Sequence, residues 1–374
     1  MLLMAEMIFH LTFEHGLRNG AKNLLQDVLY VFRALDVVVV EDLLSNLLAW
    51  GSWWSFTLCH SVTVLIFVYP SMGHKVDSCN TDLHKLFYTP LTSEKENKDF
   101  YLFNHAYTNF PATAGALSMA LTGINQYNEK EIGQVVTLLD VAKKAGYDTW
   151  WISNHRQLGA GNPSVDLVSS GADHTLWTTH AEGADIDLIS LLKKVPRNGN
   201  HFIVLHLMGS HAKYDSRIPD DWPYLSLPGA DETENDYATT VDYTDYVLKN
   251  IFNYSKENLH MTAMVYLSDH GEDMTYGHGG GHITWQMLHI PFFIYLSPAY
   301  EQEYPDTARI LRSNEKKIFT NDLLFDTMSG LLKAPNSDYD ARFDISSSSY
   351  DLPSSEALSV WKERKISEDP SINT

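Results

Sequence analysis

Two apolar runs in the second half of the chain organise the rest. Met261-Thr262-Ala263-Met264-Val265-Tyr266-Leu267 is continuous in apolar, β-branched and aromatic residues, and this predicts a buried strand. It stops at Ser268-Asp269-His270-Gly271-Glu272 and opens into Gly277-His278-Gly279. His201-Phe202-Ile203-Val204-Leu205-His206 predicts a second strand, which runs into Gly209-Ser210-His211. Residues 62–68 predict an earlier strand, and residues 147–152 one between it and the other two. Helical spacing covers 132–145 up to Gly146, 184–194, 237–254 (through Val241, Val247, Leu248 and Ile251) and 321–333. Strands that alternate with helices predict an α/β fold with a mostly parallel central sheet flanked by helices. The 346–349 serine run predicts a surface loop, and the polar tail beyond Ser367 predicts a frayed end.

Ligands of open α/β sheets bind at the carboxyl ends of the strands. Two of the predicted strands deliver chemistry to that edge. Asp269 and His270 follow one, and His211 follows the other. Carboxylate oxygen and imidazole nitrogen are standard ligands of a divalent metal, zinc above all, and transfer or hydrolytic sites often pair two metals. The plain alternative for Asp269 and His270 is a polar strand cap. Upstream, Tyr107-Thr108-Asn109-Phe110-Pro111-Ala112-Thr113-Ala114-Gly115 reads as a turn into a helix beginning near Ala112. A hydroxyl at such a helix start meets free N–H groups and a positive dipole end, which suits a phosphate. Thr113 in that place is either an N-cap or a nucleophile.

These motifs carry a resemblance. The order Trp151-Ile152-Ser153-Asn154, Phe202 to His206, Gly209-Ser210-His211, Tyr214, Arg217 and Pro219, Tyr243-Thr244-Asp245-Tyr246, Tyr266 to Glu272 and Pro291 to Ser297 resembles the lipid phosphoethanolamine transferases. These are sulfatase-like members of the alkaline phosphatase superfamily. The resemblance spans roughly residues 83–335. It implies an alkaline-phosphatase-like fold. It also implies Thr113 as the residue that forms a phospho-Thr intermediate, with Thr108 and Ser118 as competitors. It implies one or two zinc ions: one on Asp269 and His270 with Thr113, a second on His211 and His278. Asn154, His155 and Glu272 would then face substrate. The implied donor is phosphatidylethanolamine and the acceptor a lipid A or other glycan hydroxyl. The implied place is the periplasmic face of the inner membrane, at the membrane surface.

One part of the family pattern is altered. Family members end the first strand in Gly-Glu-Ser, whose Glu ligates the metal, ahead of a Tyr- and Thr-rich stretch matched here by Leu86-Phe87-Tyr88-Thr89-Pro90. Here Tyr69-Pro70-Ser71 follows that strand, so Asp77 or the Glu41-Asp42 pair would have to substitute. A non-catalytic member of the family, or a sulfatase- or phosphodiesterase-type hydrolase, is the alternative reading. A sulfatase needs a Cys or Ser within a Cys/Ser-x-Pro-x-Arg motif, and nothing near Thr113 offers one.

Composition narrows the partners. The chain has 374 residues, 44% of them hydrophobic, enough for a large α/β core. With 27 Lys and Arg against 47 Asp and Glu, the net charge of −20 argues against a nucleic-acid partner, which requires a basic face. Cys59 and Cys79 permit one disulfide without requiring it. Relatives carry several membrane helices ahead of the catalytic domain. The stretch at 47–68 is long enough for one span, but its second half reads better as the first strand. The expected division is an atypical, truncated or rearranged segment over 1–61, a catalytic domain over 62–340 and a tail over 341–374.

Overall fold

In the computed structural model of the chain, the described residues are 63–68 (backbone only), 99–131, 135–155, 163–179, 183–334 and 336–373. Glu41, Asp42, Cys59, Asp77, Cys79, the 86–90 stretch and the whole of the expected N-terminal segment lie outside them. The elements below belong to one unit, Thr57–Lys130 with Val135–Thr374.

The strands are β1 (Thr63–Val68), β2 (Phe100–Leu102), β3 (Ala106–Tyr107), β4 (Asp148–Ser153), β5 (His174–Trp177), β6 (His201–His206), β7 (Ala263–Leu267), β8 (Phe292–Leu296), β9 (Phe319–Thr320), β10 (Leu358–Ser359) and β11 (Arg364–Lys365). The helices are α1 (Thr113–Ala120), α2 (Leu138–Lys144), α3 (Pro163–Ser170), α4 (Leu188–Leu192), α5 (Glu232–Asn258), α6 (Pro298–Glu303), α7 (Pro305–Asn314) and α8 (Leu324–Leu331). Seven strands form the main sheet in the order β2-β8-β7-β1-β6-β4-β5. Pairing is parallel from β7 through β5, and only β8 runs against the others. β1 sits at the centre, with Val68 paired to His206 and Phe67 to Tyr266.

The continuous apolar runs are explained by burial on both faces. Successive side chains of a strand point to opposite sides, so a strand covered twice has no polar positions to alternate. In β6, Phe202 and Val204 join one core, while Ile203 and Leu205 join the other. In β7 the split is Ala263, Val265 and Leu267 against Met264 and Tyr266; in β8 it is Phe292, Ile294 and Leu296 against Phe293 and Tyr295. The first core is closed by α1, α2, α3 and α6 to α8, the second by α4 and α5.

Three expectations are corrected. The helix expected from residue 132 starts at Leu138, because Thr137 and Asp140 form a reciprocal capping box there. The helix expected over 237–254 extends over Glu232–Asn258, because Asp231 and Glu234 form the same box six residues earlier. The C-terminal tail is not frayed. Asp369 is buried and bonded to Tyr107 and His289, so the end of the chain is docked on the core. Among the described residues no helix is long and apolar enough to cross a membrane.

Candidate functional site

The site is assembled at the carboxyl edge of β6 and β7. Asp269 and His270 leave β7 with no solvent exposure at all. Asp269 Oδ1 accepts the His270 backbone N–H at 2.9 Å, while its Oδ2 is buried without a hydrogen-bond partner. His270 donates from Nδ1 to the Gly271 carbonyl at 2.8 Å, which leaves Nε2 as the lone-pair nitrogen; it too is buried without a partner, 3.7 Å from Asp269 Oδ2. His278 donates from Nδ1 to Glu272 at 2.8 Å, so its Nε2 also carries the lone pair. That bond, more than any other effect, raises the pKa of His278 against the pull of burial. His211 supplies a third orphan, Nδ1. Burial and then the Arg217 charge hold His211 below its ordinary value. The ring centroids lie 4.3 Å apart for His270 and His278, and 6.0 Å apart for His211 and His278.

A buried polar atom without a partner is expensive, and native proteins keep few of them. Here a carboxylate oxygen and two imidazole nitrogens are left unsatisfied in one place. The carboxylate and imidazole types are those zinc prefers, and outer partners fix the tautomers of His270 and His278 as metal ligation requires. Among the described residues no three such side chains close into ligand geometry. The donor set nevertheless fits a divalent metal, because Asp269 Oδ2 and His270 Nε2 are lone-pair acceptors rather than hydrogen donors.

The turn that leads into Thr113 reaches this edge from the other side. Thr113 is the first residue of α1, and the N-cap is Ala112, whose side chain offers no cap bond. The capping alternative for Thr113 is thereby removed. A Cβ built on Gly279 would lie 3.5 Å from the Pro111 carbonyl and 3.9 Å from Ala112 Cβ. The loop carrying His278 therefore rests on the turn that leads into Thr113. Gly279 holds a φ of +68°, so its lack of a side chain serves both the turn and this approach. Of the competitors, Thr108 is fully buried and bonds the Asp269 carbonyl. Ser118 donates to the Gly115 carbonyl at 2.8 Å inside the helix.

The headgroup candidates are placed differently. Asn154 is fully buried, and its amide donates to the Gly183 carbonyl and to Asp185, both at 2.8 Å, while its oxygen accepts from Thr178 at 2.6 Å. Both N–H bonds are spent within the protein. His155 is half-buried, stacks on His206 with centroids 3.8 Å apart, and donates to the Leu207 carbonyl at 2.7 Å. Burial and then His155 keep His206 well below its ordinary pKa. Glu272 is buried and is committed to His278, with Tyr214 hydrogen-bonded to it as well.

Two structural residues escaped the sequence. Asp185 is buried and accepts the backbone N–H groups of Met208 and Gly209 at 2.9 and 2.7 Å, which fixes the loop that presents His211. Asn321 donates to the Asp269 carbonyl at 2.9 Å and accepts from the Asn109 backbone and side chain at 2.8 and 2.7 Å. It ties the end of β7 to the loop before α1. No local pattern announces either residue; each is a polar side chain at the edge of an apolar element.

Residues 64–334 match the sulfatase family model. Phosphoethanolamine transferase EptC of Escherichia coli O18:K1:H7 is 28% identical over 235 residues, which covers 56% of this chain and 41% of that protein. The chain spans 40% to 50% of the length of the curated relatives it matches. The C-terminal periplasmic domain of EcEptC from Escherichia coli superposes with a TM-score of 0.71 at 22% identity, covering 84% of this chain and 95% of that one. The same domain in complex with Zn superposes with a TM-score of 0.70. A protein of the alkaline phosphatase superfamily from Vibrio parahaemolyticus gives 0.55 at 16% identity, covering 81% of this chain and 74% of that one. At these identities the structural likeness is one of fold.

Proposed function

The chain belongs to the sulfatase family and has its alkaline-phosphatase-like α/β fold, and on that premise we propose that it transfers phosphoethanolamine through a phospho-Thr intermediate. The observation that carries the reading is the cluster of partnerless atoms of Asp269, His270 and His211 beside the His278 loop, which rests on the turn leading into Thr113 at an uncapped helix start. The relatives named phosphoethanolamine transferases, and the zinc complex of one such domain, support it. The catalytic unit is residues 62–340, working at the periplasmic face of the inner membrane.

In this reading Asp269 and His270, with Thr113, would hold one zinc, and His211 and His278 would hold a second, weaker one. Zinc bound there would lower the pKa of the Thr113 hydroxyl and neutralise phosphoryl oxygens. Glu272 and the Gly271 carbonyl fix the tautomers of His278 and His270, so that their lone pairs face the site. The start of α1 adds its positive dipole end beside the phosphate. Thr113 Oγ1 bonds to the phosphorus of phosphatidylethanolamine as the bond to diacylglycerol breaks. A lipid A or glycan hydroxyl then bonds to that phosphorus and frees Thr113. Two in-line displacements give net retention at phosphorus and ping-pong kinetics.

The test is intact mass after incubation with phosphatidylethanolamine vesicles and zinc. A phosphoethanolamine adduct on the wild-type chain that is absent from Thr113→Ala is the expected result. Adduct formation or turnover that persists in Thr113→Ala rejects Thr113. Absence of any adduct at high zinc favours the non-catalytic reading.

A further inference from the structure

The C-terminal segment follows the loop before Thr113 residue by residue. Tyr107 donates to Asp369 at 2.9 Å. The Thr108 carbonyl accepts from the Ser359 hydroxyl at 2.6 Å. The Asn109 carbonyl accepts from the Trp361 backbone N–H at 3.1 Å. The Phe110 ring stacks on the Trp361 indole at 4.0 Å and 14°. Four consecutive residues are thus gripped by a stretch some 250 positions away.

The grip is held in an uncommon conformation. Val360, Trp361 and Lys362 have φ values of +52°, +51° and +76°, all left-handed and none of them glycine. That region is disfavoured for L-residues, and most of all for a β-branched one such as Val. Surroundings must impose it, and such strain gathers at functional sites. Gln126 supplies part of the constraint, donating to the Leu358 carbonyl at 2.8 Å and accepting from the Lys362 N–H at 3.0 Å. The strained turn drives the indole into the first turn of α1. A Cβ on Gly115 would fall 2.9 Å from Trp361 and 2.5 Å from Phe110, so only glycine admits the stacked pair. The indole N–H is buried with no partner, which leaves the flat ring as what Trp361 contributes.

We propose that the Val360–Lys362 turn is a clamp on the 107–112 loop, with Trp361 as its positioning residue, and that it aims Thr113 at the strand-end cluster. The aim of Thr113 rests on the phospho-Thr reading above; the clamp on the loop does not. Positioning errors of about 1 Å can cost on the order of 100-fold in rate, which is the scale at stake.

Hydrogen exchange read by mass spectrometry separates the two parts. In Trp361→Ala, amides of residues 108–117 should exchange about 10- to 100-fold faster, while those of β7 stay as in the wild type. Trp361→Phe should return exchange to within about threefold, since it keeps a flat ring. Ser359→Ala, a milder change, should speed the same peptide if Trp361→Ala does not fold. Unchanged exchange at 108–117, or an equal rise in β7, overturns the clamp. The kinetic arm measures adduct formation from phosphatidylethanolamine vesicles with zinc. The limiting rate should fall about 10- to 100-fold in Trp361→Ala, with the half-saturating donor concentration within about twofold and Trp361→Phe restoring the rate. A fall in donor affinity with no change in limiting rate overturns the aiming of Thr113. If the wild-type chain forms no adduct, the phospho-Thr reading fails, and with it the aiming of Thr113, while exchange still decides the clamp.

Discussion

At the scale of single residues, the site depends on which nitrogen of each histidine carries a proton. Glu272 does this for His278, and its hydrogen bond, ahead of its charge, raises the pKa of that ring. Glu272→Gln keeps the shape and removes the charge. Zinc affinity should then fall by about 10- to 100-fold, the usual effect of losing an outer partner of a ligating histidine. Competition titration with a chelating dye reads it; an unchanged zinc Kd would remove Glu272 from the site. The grouping of Asp269, His270, His211 and His278 was legible in the sequence because each follows an apolar strand or a Gly-rich loop and the pattern is local. Asp185, Asn321 and Trp361 were not. Each acts across the chain, as the 212-residue separation of Asn109 and Asn321 makes plain, and no window of neighbours records that approach.

At the scale of elements, the apolar runs located β6 and β7 almost to the residue, because burial on both faces leaves no other pattern. Helix ends were read less well, since caps such as Thr137 and Asp231 outrank the apolar spacing. The late helix expected over 321–333 divides into a 3-10 turn, Asn321–Leu323, and α8. The division falls where Asn321 and Asp322 turn their side chains to the site loop and to Gln126. Within α8, Gly330 carries a prediction whose sign opposes helix propensity. Gly to Ala inside a helix ordinarily stabilises by about 1 kcal/mol. Here the new Cβ would overlap Asp344 Oδ2. Asp344 cannot yield easily: it is buried and held by the Ser346 N–H, the Ser346 hydroxyl and the Tyr339 hydroxyl. Gly330→Ala should therefore destabilise by about 1–3 kcal/mol, the range for overpacking. Urea unfolding checks it, and a stabilised variant would contradict the contact.

At the scale of the whole molecule, acidity governs how stability responds to pH. The sequence announced the charge of −20, but not which carboxylates are buried. Burial, ahead of neighbouring carboxylates, pushes Asp245 and Asp326 up to about 7; burial also pushes Asp344 up to about 6 against the bonds it accepts. An unfolded Asp titrates near 3.9, so between about pH 4 and 7 the folded chain binds more protons than the unfolded one. The stability from these three groups is fully present below about pH 4 and is lost as pH rises through 6 to 7. Asp369 works the other way. Burial tends to raise it, but bonds from His289, the Ser371 N–H and Tyr107 outweigh that and hold it low. Its contribution is present above about pH 4 and lost in acid. Taken by themselves these four carboxylates are most favourable near pH 4, while His206, His105 and His211, held low chiefly by burial, favour the fold above about pH 6.5 and oppose them in acid. Thermal unfolding at fixed zinc should give a higher Tm near pH 5.5 than near pH 8. Asp326→Asn keeps the group that accepts the Asp340 N–H, bonded at 2.7 Å, but cannot ionise. The fall in Tm between those two pH values should be smaller in that variant. An equal fall would mean that Asp326 ionises without cost to the fold, and that the buried carboxylates do not set the pH response.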